Sequence, residues 1–140
     1  MNKCNDILEL LKSSSYQLAM EKLNQAHYFP INSGLKITLI CLDYAEGEFT
    51  LEADQTGKLN NGLLFTLADE IASIAACSRG VSYVTISSCI NFLKDTASGK
   101  IVCRAMPQRS GEDISIFQVA ITDEVESLVA VGSFVFQMKI

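Results

Sequence analysis

The sequence predicts a single α+β domain, an antiparallel sheet wrapped around one buried helix. Three observations carry this prediction. From Gly62 to Cys77, apolar and small residues occupy nearly every side of a helical register, the pattern of a helix enclosed by protein rather than lying on its surface. Two strand-like segments precede that helix and four follow it, separated by short turn sequences. The 140 residues, 49% hydrophobic and 19% charged, suit one domain with one core.

The elements follow in order. Residues 5–25 read as helix, with Ile7, Leu8, Leu11, Leu18 and Leu23 roughly along one face. Ser13-Ser14-Ser15 joins or caps helical pieces within it. This N-terminal helical segment, residues 1–29, fits a lid or simple packing at the domain edge, the second better. The core is expected over residues 30–140.

His27 to Gly34 reads as a loop, and Leu35 to Tyr44 as a strand with Leu35, Ile37, Leu39 and Cys41 on one face. Ala45-Glu46-Gly47 reads as a turn. Glu48 to Ala53 alternates, with Phe49, Leu51 and Ala53 inward. A polar loop, Asp54 to Lys58, leads to the buried helix, which opens at Asn60-Asn61-Gly62 and ends at Arg79-Gly80. Tyr83–Leu93, Lys100–Pro107, Ile114–Thr122 and Leu128–Phe136 then read as an antiparallel meander.

Composition excludes several function classes. The five cysteines are odd in number and lack metal or redox spacing, so they read as reduced thiols, mostly small core residues. No apolar run approaches the roughly 20 residues of a membrane span. Met1 to Asp6 has no apolar core like a signal peptide's, and a cytoplasmic protein is expected. The net charge is −5 and no basic run exists, so no nucleic-acid partner is expected. An anionic ligand would draw on Lys58, Lys94, Lys100, Arg104 or Arg109. The single histidine, His27, is the only one through which a Ser-His-Asp triad or a histidine metal site could run. It sits in a loop beside Tyr28 and Phe29, where a structural role is expected. Neither metal nor cofactor is called for.

The chemistry concentrates at the buried helix. Asn60 or Asn61 can cap its start. The free N–H groups there also suit a developing negative charge, and Gly62 permits close approach. Asp69, in a helix apolar on most sides, must be paired, hydrogen-bonded, neutralised, functional or the one of the two acids that faces solvent. Glu70, its neighbour, points about 100° away. Asp69 lies eight residues past Asn61, about 12 Å along the axis. One carbonyl needs its oxyanion donor and its base each roughly 3 Å away, so a single helix cannot supply both. Two antiparallel helices across a twofold axis can. If Asn61 and Asp69 act together, they act across a dimer interface.

These residues resemble the hotdog-fold acyl-CoA thioesterases of the PaaI-like branch. That family runs from an Asn through a short loop and Gly-x-x-His-Gly-Gly into an apolar helix with Leu-Ala-Asp. The matching stretch here runs from Asp54 through Gly57, Asn60-Asn61-Gly62 and Leu67-Ala68-Asp69. Val84-Thr85, Phe92-Leu93-Lys94, Gly99, Ser110-Gly111 and Val129-Ala130 through Phe134 follow in the family's order. The resemblance covers roughly residues 30–137.

It implies a hotdog fold, Asp69 as general base or nucleophile, the Asn61 N–H as oxyanion donor and Thr85 as the hydroxyl that helps place water. Asp54, Asn60, Gly62 and Lys94 are implied as substrate contacts. Asn60 stands for the usual His, Asp54 for the usual Asn, and Glu112 where many relatives are basic. Implied too are an acyl-CoA or similar pantetheine thioester as substrate, no cofactor, and a homodimer or a tetramer built of dimers. A hotdog protein that binds acyl thioesters without hydrolysing them is the alternative.

Overall fold

The computed structural model describes residues 3–26, 35–51, 61–95 and 99–139. Two helices, α1 (Lys3–Lys12) and α2 (Tyr16–Ala26), lead into strands β1 (Lys36–Cys41) and β2 (Tyr44–Leu51). The central helix α3 (Asn61–Ala76) runs into a 3₁₀ turn, Cys77–Arg79. Strands β3 (Tyr83–Phe92), β4 (Gly99–Arg109), β5 (Ile114–Thr122) and β6 (Leu128–Met138) complete the chain. Among the described residues no helix is long and apolar enough to cross a membrane. His27, Asp54, Lys58 and Asn60 lie outside the described residues.

The serine run does break the N-terminal helix. Ser14 takes a left-handed φ of 60° and the Ser13 hydroxyl donates to the Leu10 carbonyl at 3.1 Å. Ile7 and Leu11 of α1 and Ala19 of α2 are buried, whereas Leu18 is exposed. The Asn24 side chain then anchors α2 to the sheet. It donates to the Ile37 carbonyl at 3.0 Å and accepts from the Ile37 N–H at 2.8 Å.

The six strands form one sheet in the order β1-β2-β4-β5-β6-β3, with every neighbouring pair antiparallel. The inner face carries Ile101, Cys103 and Ala105 of β4 and Phe117, Val119 and Ile121 of β5, all fully buried. Helix α3 packs against all six strands. Its Leu64, Leu67 and Ile71 fill the core while Ala68, Ala72 and Ala75 let the sheet come close. The sheet around one central helix is the predicted architecture.

Four details differ from the sequence reading. The turn lies at Leu42-Asp43, not at Ala45-Glu46-Gly47, and Ala45, Gly47 and Phe49 point inward along β2. Gly47 is a strand glycine at a close approach, since a Cβ there would lie 3.3 Å from Ile71 Cδ1 and 3.1 Å from Leu35 Cδ1. In β1 the register shifts between Ile37 and Leu39, so Ile37 and Ile40 are buried while Leu39 and Cys41 are exposed. The last four strands are no simple meander either. β3 lies beside β6 at the sheet edge, and only β4, β5 and β6 follow one another. Among the cysteines with described side chains only Cys103 is core. Cys41 and Cys89 are exposed and Cys77 is half-buried. Burial pushes the Cys103 thiol up to about 12.

Candidate active site

Helix α3 begins at Asn61, and both Asn61 and Gly62 are exposed. Gly62, Thr66, Asp69 and Ser73 recur at helical spacing and form one stripe along it. The Thr66 hydroxyl donates to the Gly62 carbonyl at 2.9 Å and the Ser73 hydroxyl to the Asp69 carbonyl at 2.8 Å. The Asp69 carboxylate turns toward β3, where the Thr85 hydroxyl donates to its Oδ1 at 3.1 Å. The strand and the helix therefore meet at this acid and this hydroxyl. The bond occupies one carboxylate oxygen, and among the described residues no hydrogen bond reaches Oδ2, which leaves it to act on another group.

The helix is unbroken from Asn61 to Ala76. The first-turn N–H of Asn61 and the carboxylate of Asp69 thus stay about 12 Å apart along its axis. Lys94 is farther still. It follows Thr85 by nine residues, about 30 Å of extended strand, and its ammonium pairs with Asp123. That pairing, with help from the Ser127 and Val125 N–H groups, holds the Asp123 carboxyl below its ordinary range. Of the other predicted cations, Lys100 faces Glu48 and Arg104 faces Glu46, each at 3.5 Å. The structure joins Asp69 with Thr85 and keeps Asn61 and Lys94 of the same chain apart from them.

Glu70 was given no role in the sequence reading beyond that of Asp69's neighbour. It points away from Thr85, into a cavity of about 200 Å³ between α3 and the N-terminal helices. Ile7, Leu8, Leu11 and Leu23 form the far wall, and Ile74 and Cys77 continue the α3 stripe on which Glu70 sits. Burial, and after it the charge of Asp69, push the Glu70 carboxyl up from 4.5 to about 7. The two adjacent acids thus have different surroundings, one held by a hydroxyl at the sheet edge and one half-buried beside apolar walls. The signal was present in the sequence as Glu70, Ser73, Ile74 and Cys77 at helical spacing. Without the position of α1 and α2, nothing marked that stripe as a cavity wall.

Residues 56–130, more than half of the chain, match the family model of the thioesterase superfamily. The chain belongs to the thioesterase superfamily. The family places it among the thioester hydrolases. Its fold is similar to that of a thioesterase from Haemophilus influenzae, at 26% identity and a TM-score of 0.77 over 86% of this chain and 90% of that one. The PaaI protein of the phenylacetic acid degradation operon of E. coli has the same fold, at 20% identity and a TM-score of 0.79 over 92% and 94%. So does a Streptococcus mutans protein solved with acetyl-CoA bound, at 20% identity and a TM-score of 0.73 over 81% and 94%. The match to the thioesterase superfamily spans Gly62, Asp69, Thr85 and Lys94 together.

Proposed function

We propose that the protein hydrolyses an acyl thioester of coenzyme A, or of a similar pantetheine carrier, with Asp69 as the catalytic carboxylate. The Thr85–Asp69 hydrogen bond carries this reading. A fixed carboxylate with one free oxygen is suited to taking a proton from water as that water attacks the thioester carbonyl. The carbonyl oxygen becomes an oxyanion, the carbon–sulfur bond then breaks, and the thiolate leaves to be protonated. A carboxylic acid and a free thiol result. Direct attack by Asp69 gives the same products through an anhydride that water opens. The CoA-bound S. mutans protein of the same fold supports this ligand class.

The oxyanion donor belongs to a second copy on this reading, through the Asn61 N–H at its helix start. Strand β3 supplies the surface for pairing. It is an edge strand with Val84 43% and Ile86 50% exposed. Pairing two such edges antiparallel brings two α3 helices together with opposite directions, which supplies donor and base to each of two sites. A dimer is the smallest working unit, and a tetramer would repeat it.

The test is a panel of acyl-CoA substrates against the wild type and Asp69→Asn. We expect turnover that falls by about 10²–10⁴-fold in the variant, the usual contribution of a positioned base. Saturable binding without turnover would instead establish the non-hydrolysing reading, which Asn61 in place of a glycine favours through the bulk it adds at the helix start.

A further inference from the structure

The cavity under the N-terminal helices adjoins the reacting pair. Ser73 lines it and also bonds the Asp69 carbonyl. Ser82, three residues before Thr85, lines it from the strand side. The cavity therefore lies one helix stripe away from Asp69, with Ser73 between them. Its far wall is leucine and isoleucine, the surroundings a short acyl chain requires.

Glu70 is what this cavity does not need for an apolar chain. A carboxyl costs free energy among apolar side chains unless something donates to it. Among the described residues no hydrogen bond reaches the Glu70 carboxyl, and none of the side chains that line the cavity carries a positive charge. An occupant that brings its own donor removes that cost, and one that ends in a methyl group leaves it in place.

Resting on the assignment of Asp69 and Thr85 as the reacting site, we infer that Glu70 is a specificity-determining residue, which selects acyl groups that end in a hydrogen-bond donor, an amino group foremost. The thioester carbonyl stands at Asp69 and the acyl chain turns past Ser73 into the cavity. The terminal amino group meets the Glu70 carboxylate as a charge-assisted pair. A terminal hydroxyl donates to the same oxygens more weakly.

The experiment compares hexanoyl-CoA, ω-hydroxyhexanoyl-CoA and ω-aminohexanoyl-CoA, with kcat/KM measured for the wild type, Glu70→Gln and Glu70→Leu. The wild type is expected to prefer the amino substrate over hexanoyl by about tenfold or more. Glu70→Gln is expected to keep a preference for the hydroxyl substrate and lose that for the amino one. Glu70→Leu is expected to prefer hexanoyl. Because each ratio is taken within one protein preparation, a partly folded variant does not alter it.

A wild type that prefers hexanoyl, or a ratio that Glu70→Leu leaves unchanged, overturns the assignment. If the wild type turns over none of the three, the thioesterase reading fails. Calorimetric binding of the corresponding hexyl and ω-aminohexyl thioethers of CoA then decides the cavity by itself. Tighter binding of the amino ligand that Glu70→Leu abolishes sustains the inference, and equal affinities overturn it.

Discussion

Asp69 and Glu70 are consecutive acids, and 100° of helix rotation gives them different physics. Asp69 receives a hydroxyl, so removing that hydroxyl is informative. Thr85→Ala is expected to lower kcat by about 10–100-fold, the worth of one hydrogen bond to a charged group, with the fold intact by circular dichroism. Among the described residues Glu70 receives no donor, and its carboxyl rises from 4.5 to about 7. In the window between those values the folded state holds the proton more tightly than the unfolded chain. The Glu70 contribution to stability is therefore full below pH 4.5, falls as pH rises, and levels off above pH 7. At roughly 1.4 kcal/mol per pH unit the loss is about 3 kcal/mol. Urea unfolding from pH 4 to 8 checks it, and Glu70→Gln is expected to flatten the profile. Asp69 and Glu70 stood out in the sequence together as charges in an otherwise apolar helix, and the family's Leu-Ala-Asp motif is what pointed to Asp69. Thr85 was legible only through the family's strand motif, since no local pattern says which strand will flank that acid.

At the scale of elements, the end of α3 is tied to both neighbours. The buried Ser78 hydroxyl donates to the Ala75 carbonyl and accepts the Asp43 N–H, each at 2.7 Å. Arg79 grips the Asp43 carboxylate with Nε at 2.9 Å and a terminal nitrogen at 2.7 Å. This pair holds the Asp43 carboxyl below its ordinary range. Gly80 follows with a φ of 81°, and a Cβ there would lie 2.5 Å from the Lys12 Cα. Gly80→Ala is expected to cost about 1–3 kcal/mol or more by thermal unfolding, because both the left-handed backbone and the backbone of α1 oppose the methyl. Ser78→Ala, which strands the Asp43 N–H, is expected to cost about 1–3 kcal/mol. The strands were legible from alternation, and their bounds shift by few residues. The Leu42-Asp43 turn was not, because Gly47 looks like a turn residue until the nearness of Ile71 explains it. The bulge in β1 was equally hidden, and it falls where Asn24 of another element engages the backbone of Ile37.

At the scale of the whole molecule, the sheet has an open end. β3 pairs on one side with β6, and its burial pattern leaves almost every residue accessible. Ile86, 50% exposed, is the place to interrupt the proposed pairing between copies. Ile86→Lys is expected to lower the mass seen by light scattering from that of a dimer to that of one chain. Activity is expected to fall with it, since each site would lose its oxyanion donor. Full activity in a single-chain species would refute the shared site. The order of the sheet was beyond the sequence, because alternation marks strands and not their neighbours.

The place of β3 has a consequence for synthesis. Thr85 sits opposite Phe136 in the β3–β6 ladder, some fifty residues later in the chain. On the ribosome, Asp69 and Thr85 emerge early and close together, yet β3 has no strand to lean on until the last segment is released. A stalled or clipped chain that lacks β6 would carry every proposed catalytic residue and still have no seat for the hydroxyl. The proposed chemistry is thus written ahead of the strand that seats it and becomes operative only when β6 arrives.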